Sequence, residues 1–279
     1  MIELPPPLWL PPRPAIIRPA DRELLKLARR DAIKASRHEA SFMPGMFPAG
    51  AVSSRPLPEL SFVGLTHNDT QQTTYTFTGV NIGAADPTRR VIAVIQFGDT
   101  TGVKTLTAST MDGTNFLPQA NVLNVQGGTT GGTCCILSRL KATGTTADFT
   151  FTLSAAAASM KMSLAIFRAL NETSASPTAT ASDNTVSSLT LATTLNVLNK
   201  GWVLAAGCLF GSGAPTNYTW TGVTEVYEEK RGGAASTGLI RSGGGIASAL
   251  AANAAYPVQF VADQGATGAN GYLAAMSWG

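Results

Sequence analysis

Residues 74–98 read TYTFTGVNIGAADPTRRVIAVIQFG. At the start of the run Tyr75, Phe77 and Gly79 alternate with threonines, the two-residue period of a strand with one face buried and one face wet. At its end residues 90–97, RVIAVIQF, are apolar on both faces, as a central strand would be. Glycine, asparagine, aspartate and proline punctuate the interval between them.

The same alphabet continues outward. Phe149, Phe151 and Leu153 alternate, as do Leu189 and Leu191, then Tyr256, Val258 and Phe260, and then Tyr272, Ala274, Met276 and Trp278. Residues 134–140, 163–170, 201–210, 219–227 and 237–241 are further strand candidates. Residues 155–170 have helical propensity in part, but they follow an alternating strand, and their second half reads as strand too. About a dozen strands with no helix between them predict an all-β domain over residues 60–279. The expected architecture is an antiparallel two-sheet β-sandwich, jelly-roll-like. No internal repeat is legible, and the glycine runs at 127–132 and 243–245 read as loop material.

Ahead of residue 60 the character changes. Residues 1–20, MIELPPPLWLPPRPAIIRPA, carry seven prolines, which remove backbone donors and favour an extended arm with polyproline II character. Leu4, Leu8, Trp9, Leu10, Ile16 and Ile17 are too apolar for a free linker and predict docking on a partner. Asp21 can cap an amphipathic helix over residues 21–40, where Leu24 and Leu27 belong to the same docking set. Residues 41–59 read as a linker rich in proline and glycine.

Composition limits the chemistry. Only 13% of the 279 residues are charged, 44% are hydrophobic and the formal net charge is +3, so a sizeable core can form under a surface of threonine, serine, asparagine and alanine. Nine of the 20 basic residues fall in the first 55 positions, but Asp21, Glu23, Asp31 and Glu39 interleave with them, so no phosphate-binding patch is expected. No run is apolar enough for a membrane helix and no export signal is legible, so a soluble, unexported protein is expected. Cys134, Cys135 and Cys208 match no zinc spacing and read as small buried residues in a reduced compartment.

A catalytic reading must find its residues. Of two histidines, His38 lies in the helix and His67 in a stretch that reads as a polar turn, THNDT, and no nucleophile elbow or P-loop accompanies them. The protein is therefore expected to be no enzyme and to need no cofactor or metal. Asp183 and Asn184 offer too few oxygen ligands for calcium. Asp112 and Asn115 are expected to flank a turn at Gly113, and the charges at 225–231 to mark an exposed strand end or loop. The alternative function is carbohydrate binding, for which Asn217, Tyr218 and Trp220 could supply an aromatic platform, or else cap one end of the core.

The runs at 76–98, at 142–171 (ATGTTADFTFTLSAAAASMKMSLAIFRALN) and at 219–229 (TWTGVTEVYEE), with the terminal LAAMSWG, resemble a β-sandwich domain of tailed-bacteriophage and prophage structural proteins. The resemblance spans roughly residues 60–279. It implies a virion accessory protein of the head, neck or tail, such as a decoration or fibre protein, assembled in the bacterial cytoplasm. It also implies capsid, neck or tail subunits as partners, engaged through residues 1–58, and a homo-oligomer. A host surface glycan is the further partner that such a protein could meet, and neither nucleic acid nor membrane is expected.

Overall fold

A computed structural model describes residues 56–99, 104–116, 124–127, 131–155, 161–172, 174, 176–186, 190–211, 218–231, 239–262 and 270–279. The expected arm and helix, and the linker up to residue 55, lie outside these residues. The described chain is built from strands: β1 Glu59–Asn68, β2 Thr74–Asn81, β3 Arg90–Asp99, β4 Leu106–Met111, β5 Thr114–Asn115, β6 Asn124–Gly127, β7 Gly131–Leu140, β8 Thr146–Leu153 and β9 Lys161–Leu170. The series continues with β10 Ala179–Val186, β11 Thr190–Val197, β12 Gly201–Gly211, β13 Tyr218–Thr221, β14 Thr224–Arg231, β15 Leu239–Leu250, β16 Asn253–Ala262 and β17 Asn270–Trp278. No helix occurs among the described residues. The all-β, antiparallel expectation holds.

The number of sheets differs from the expected two. The described residues form four: sheet A in the order β1-β9-β3-β7-β6, sheet B in the order β2-β8-β4-β5, sheet C in the order β10-β17-β12-β15-β14, and sheet D in the order β11-β16-β13. Three apolar clusters lie between them. Tyr75, Phe77, Ile95, Phe97, Phe149 and Phe151 fill the space between A and B. Leu191, Val203, Leu209, Val258, Phe260 and Leu273 do the same between C and D. The third cluster, with Ile92, Val94, Phe167, Trp202, Met276 and Trp278, joins A to C. The layers therefore stack B, A, C, D. Strand β3 is apolar on both faces because both of its faces are covered. Alternation along a strand reports which faces are buried, not how many layers follow, and so the sequence did not reveal the stack.

The two halves repeat one plan. Going through the chain, β1, β2, β3, β4, β6, β7, β8 and β9 correspond to β10 through β17, and the sheet orders then match position for position, with β5 alone unmatched. The A–C contact joins corresponding edges, more closely on one side than on the other. Edge strand β1 reaches β14 through side chains, with the rings of Phe62 and Tyr227 stacked at 5.5 Å, while β10, the counterpart of β1, lies closer beside β6, the counterpart of β14. This is the pattern that a two-fold relation between like halves produces. The sequence hides it because the halves share burial rhythm more than residues.

Local chemistry explains several elements. Asp112 and Gly113 both have positive φ (49° and 71°), the geometry of a two-residue hairpin turn, and they join β4 to β5 as the Asp-Gly pair predicts. The glycines at 243–245 are not a loop. They lie in the middle of β15, where a Cβ on Gly243 would sit 2.1 Å from the Tyr218 hydroxyl oxygen and one on Gly244 2.4 Å from the Tyr227 ring. The strand lacks side chains there because aromatic rings from β13 and β14 occupy both of its faces. The candidate at 219–227 is likewise two strands, parted at Gly222.

Candidate functional site

Several buried polar side chains lie on the seam between the halves. Gln96, on β3, is fully buried. Its Nε2 donates to the carbonyls of Gly207 (2.6 Å) and Gly243 (3.1 Å) on sheet C, and its Oε1 accepts from the Tyr227 hydroxyl (2.8 Å). Cys134 Sγ donates across the same seam to the Ala206 carbonyl at 3.4 Å. The one uncharged polar residue inside RVIAVIQF was the signal for this contact, and composition alone gave no reason to follow it.

At one edge of the seam Glu229 of β14 takes Nδ1 of His67 at 3.0 Å and also accepts from the hydroxyl of Ser163. His67 thus lies in strand β1 and not in a turn. Ser163 is buried and bonded to the carboxylate rather than to the imidazole. The order Ser–Glu–His places the base on the wrong side of the acid for activating a nucleophile.

A third contact closes the junction of the halves. Arg90 donates to the Glu172 carboxylate, and its guanidinium lies 4.6 Å over the Trp278 ring, whose Nε1 donates to the Ser174 carbonyl at 3.0 Å. The Arg90 and Glu172 side chains are only 5% and 4% exposed. Burial raises the Glu172 carboxyl to about 7, and the adjacent Arg90 only partly offsets this.

Two residues of the expected glycan platform pack on the apolar cluster between sheets C and D. Tyr218 is buried 4.8 Å from the Phe260 ring and Trp220 lies 4.7 Å from the same ring, with Trp220 Nε1 buried and without a hydrogen-bond partner among the described residues. Asn217 lies outside the described residues, as do Leu4, Leu8, Trp9, Leu10, Ile16, Ile17, Leu24, Leu27 and His38. Asp183 accepts from the backbone N–H of Ala192 at 2.8 Å, and among the described residues no cluster of three or more potential metal ligands forms. The three cysteines are free and buried, Cys134 facing sheet C and Cys135 facing sheet B, the opposite faces that adjacent strand residues must take. Burial drives all three thiols up, that of Cys134 to about 12.

The outward faces differ from the seam. On sheet B, Thr74 pairs with Thr152, and Thr76 with Thr150 and then Thr110. On sheet D the outward residues include Thr190, Ala192, Thr194, Thr219, Thr221 and Gln259, and a shallow groove of about 470 Å³ runs along them. No family model matches the chain, and neither a curated protein nor a solved structure does.

Proposed function

We propose that the protein is a non-enzymatic structural subunit, a virion accessory protein of the tailed-bacteriophage kind. In this reading residues 1–58 attach it to capsid, neck or tail subunits, and the β-domain serves as a rigid block. The first half is arranged like a jelly roll: with β6 set aside and the other eight strands renumbered in chain order, they pair 1-8-3-6 and 2-7-4-5. That architecture is frequent among viral structural proteins, an argument from likeness rather than from a site.

The observation that carries the reading is the chemistry of the outer faces. The outward residues named on sheet D are uncharged, and two outward rows of sheet B are threonine, with Asp148 the charge beside them. Surfaces poor in charge are the kind that assemblies bury at contact centres. The seam meanwhile spends Gln96, Tyr227, Glu229 and Ser163 on holding the halves together. Free, buried thiols agree with assembly in a reducing cytoplasm.

The test is incorporation. Wild type, Trp9→Ala and a deletion of residues 1–20 are offered to assembling particles while the melting temperature of each free protein is measured. Reduced incorporation at unchanged melting is expected, with Trp9→Ala costing about 2 kcal/mol of binding. Normal incorporation of the deletion would refute attachment through the arm.

A further inference from the structure

We propose that sheets A and C are diverged copies of one self-pairing surface, and that Gln96 in its glycine cradle makes the halves of a chain choose each other over their own kind. The inference does not depend on a virion role. It rests first on the repeat: A and C hold the same strands in the same order and meet at corresponding edges, β1 reaching β14 through Phe62–Tyr227 and His67–Glu229, and β10 lying beside β6. A surface that meets its own counterpart in this way is isologous in plan, so A-on-A and C-on-C are the natural competitors of A-on-C. A chain free to make all three contacts could exchange halves with its neighbours and run on into oligomers.

The seam distinguishes the three pairings chemically. In A-on-C, Gln96 satisfies both ends of its amide, through the carbonyls of Gly207 and Gly243 and the hydroxyl of Tyr227. Gly244 leaves room for the Tyr227 ring, since a Cβ there would lie 2.4 Å from it. In A-on-A, two Gln96 amides would be buried with neither the glycine carbonyls nor the tyrosine to meet them. In C-on-C, the Tyr227 hydroxyl would lose its acceptor. A buried polar group without its partner is costly, while a satisfied one is nearly neutral, so the amide acts chiefly against the wrong pairings. A single buried polar residue that fixes partner choice at some cost in stability is a known device in other interfaces.

The exchange 2 A:C ⇌ A:A + C:C can be read directly. A protease site is inserted in the connector between Glu172 and Thr178 of the full chain. The protein is unfolded, refolded over a range of concentrations and cut, and the paired fragments are weighed by native mass spectrometry. Pairs of the C-terminal fragment are the informative species, because they carry no N-terminal arm. Wild type is expected to give only unlike pairs. Gln96→Met, which keeps the side-chain length and removes the amide, is expected to raise the fraction of C-terminal pairs several-fold. If that variant does not refold, Tyr227→Phe replaces it: it keeps the ring and removes the hydroxyl that only A-on-C satisfies, and it should shift the exchange the same way. Like pairs in wild type, or the same fraction of them in wild type and variant, would overturn the proposal.

Discussion

At Gly243 a hydrogen atom occupies the place where any other residue would drive a carbon into the Tyr218 hydroxyl, 2.1 Å away. Tyr218 is itself held by Phe260 and by the Arg241 guanidinium 5.2 Å over its ring, so it has little room to yield. Gly243→Ala is therefore expected to cost about 1–3 kcal/mol, the usual range for overpacking, read as a lower midpoint in urea. Glu172 makes a different prediction. Its carboxyl has a higher pKa folded than unfolded, so on acidification the folded state takes up the proton first. The contribution of this group is complete below the ordinary carboxylate range and is lost as pH rises through about 7. Between pH 5 and pH 8 wild type should lose about 2 kcal/mol more stability than Glu172→Gln, measured by denaturation at both pH values. Identical pH profiles would show that the pair with Arg90 keeps the carboxylate charged throughout.

Among the elements, the loop entering β3 shows how one side chain can organise a fold. Arg89, fully buried, donates to the carbonyls of Lys141 (2.7 Å), Gly83 (2.8 Å), Ala84 (3.0 Å) and Thr143 (2.7 Å), binding the turn before β3 to the turn after β7. Lysine cannot span that fork, so Arg89→Lys is expected to cost about 3 kcal/mol, checked by thermal and urea melts. Arg89 sits next to Arg90 in sequence, yet one clamps backbone and the other pairs with Glu172, a difference no local pattern announces. Strands such as β2 and β8 were legible because aromatic and threonine residues alternate there. The glycines of β15 were not, because what makes them strand residues is rings contributed by β13 and β14. Gln96 was visible as an oddity in an apolar run, but its partners lie more than 100 positions away, at |i−j| of 111, 131 and 147. The repeat was illegible for the same reason, since strand order is a long-range property.

For the whole molecule, sheets A and C at the centre of the stack are buried on both faces, while B and D each present one face to solvent. A fragment of residues 56–279 is expected to remain soluble, give a β-type circular dichroism spectrum and melt cooperatively. A non-cooperative melt would show that residues 1–55 complete its core. Strand pairing also sets an order of events during synthesis. The first half can close once Leu170 exists to pair with Glu59, whereas the second needs Ser277 to pair with Ala179. At about 5–20 residues per second the ribosome takes about 5–20 s to make the intervening stretch. For that interval sheet A offers Ile92, Val94 and Phe167 to solvent with no sheet C to cover them. The nascent chain is thus a client for holding chaperones at one defined stage, and slower translation of the second half should increase aggregation while leaving the finished protein unchanged.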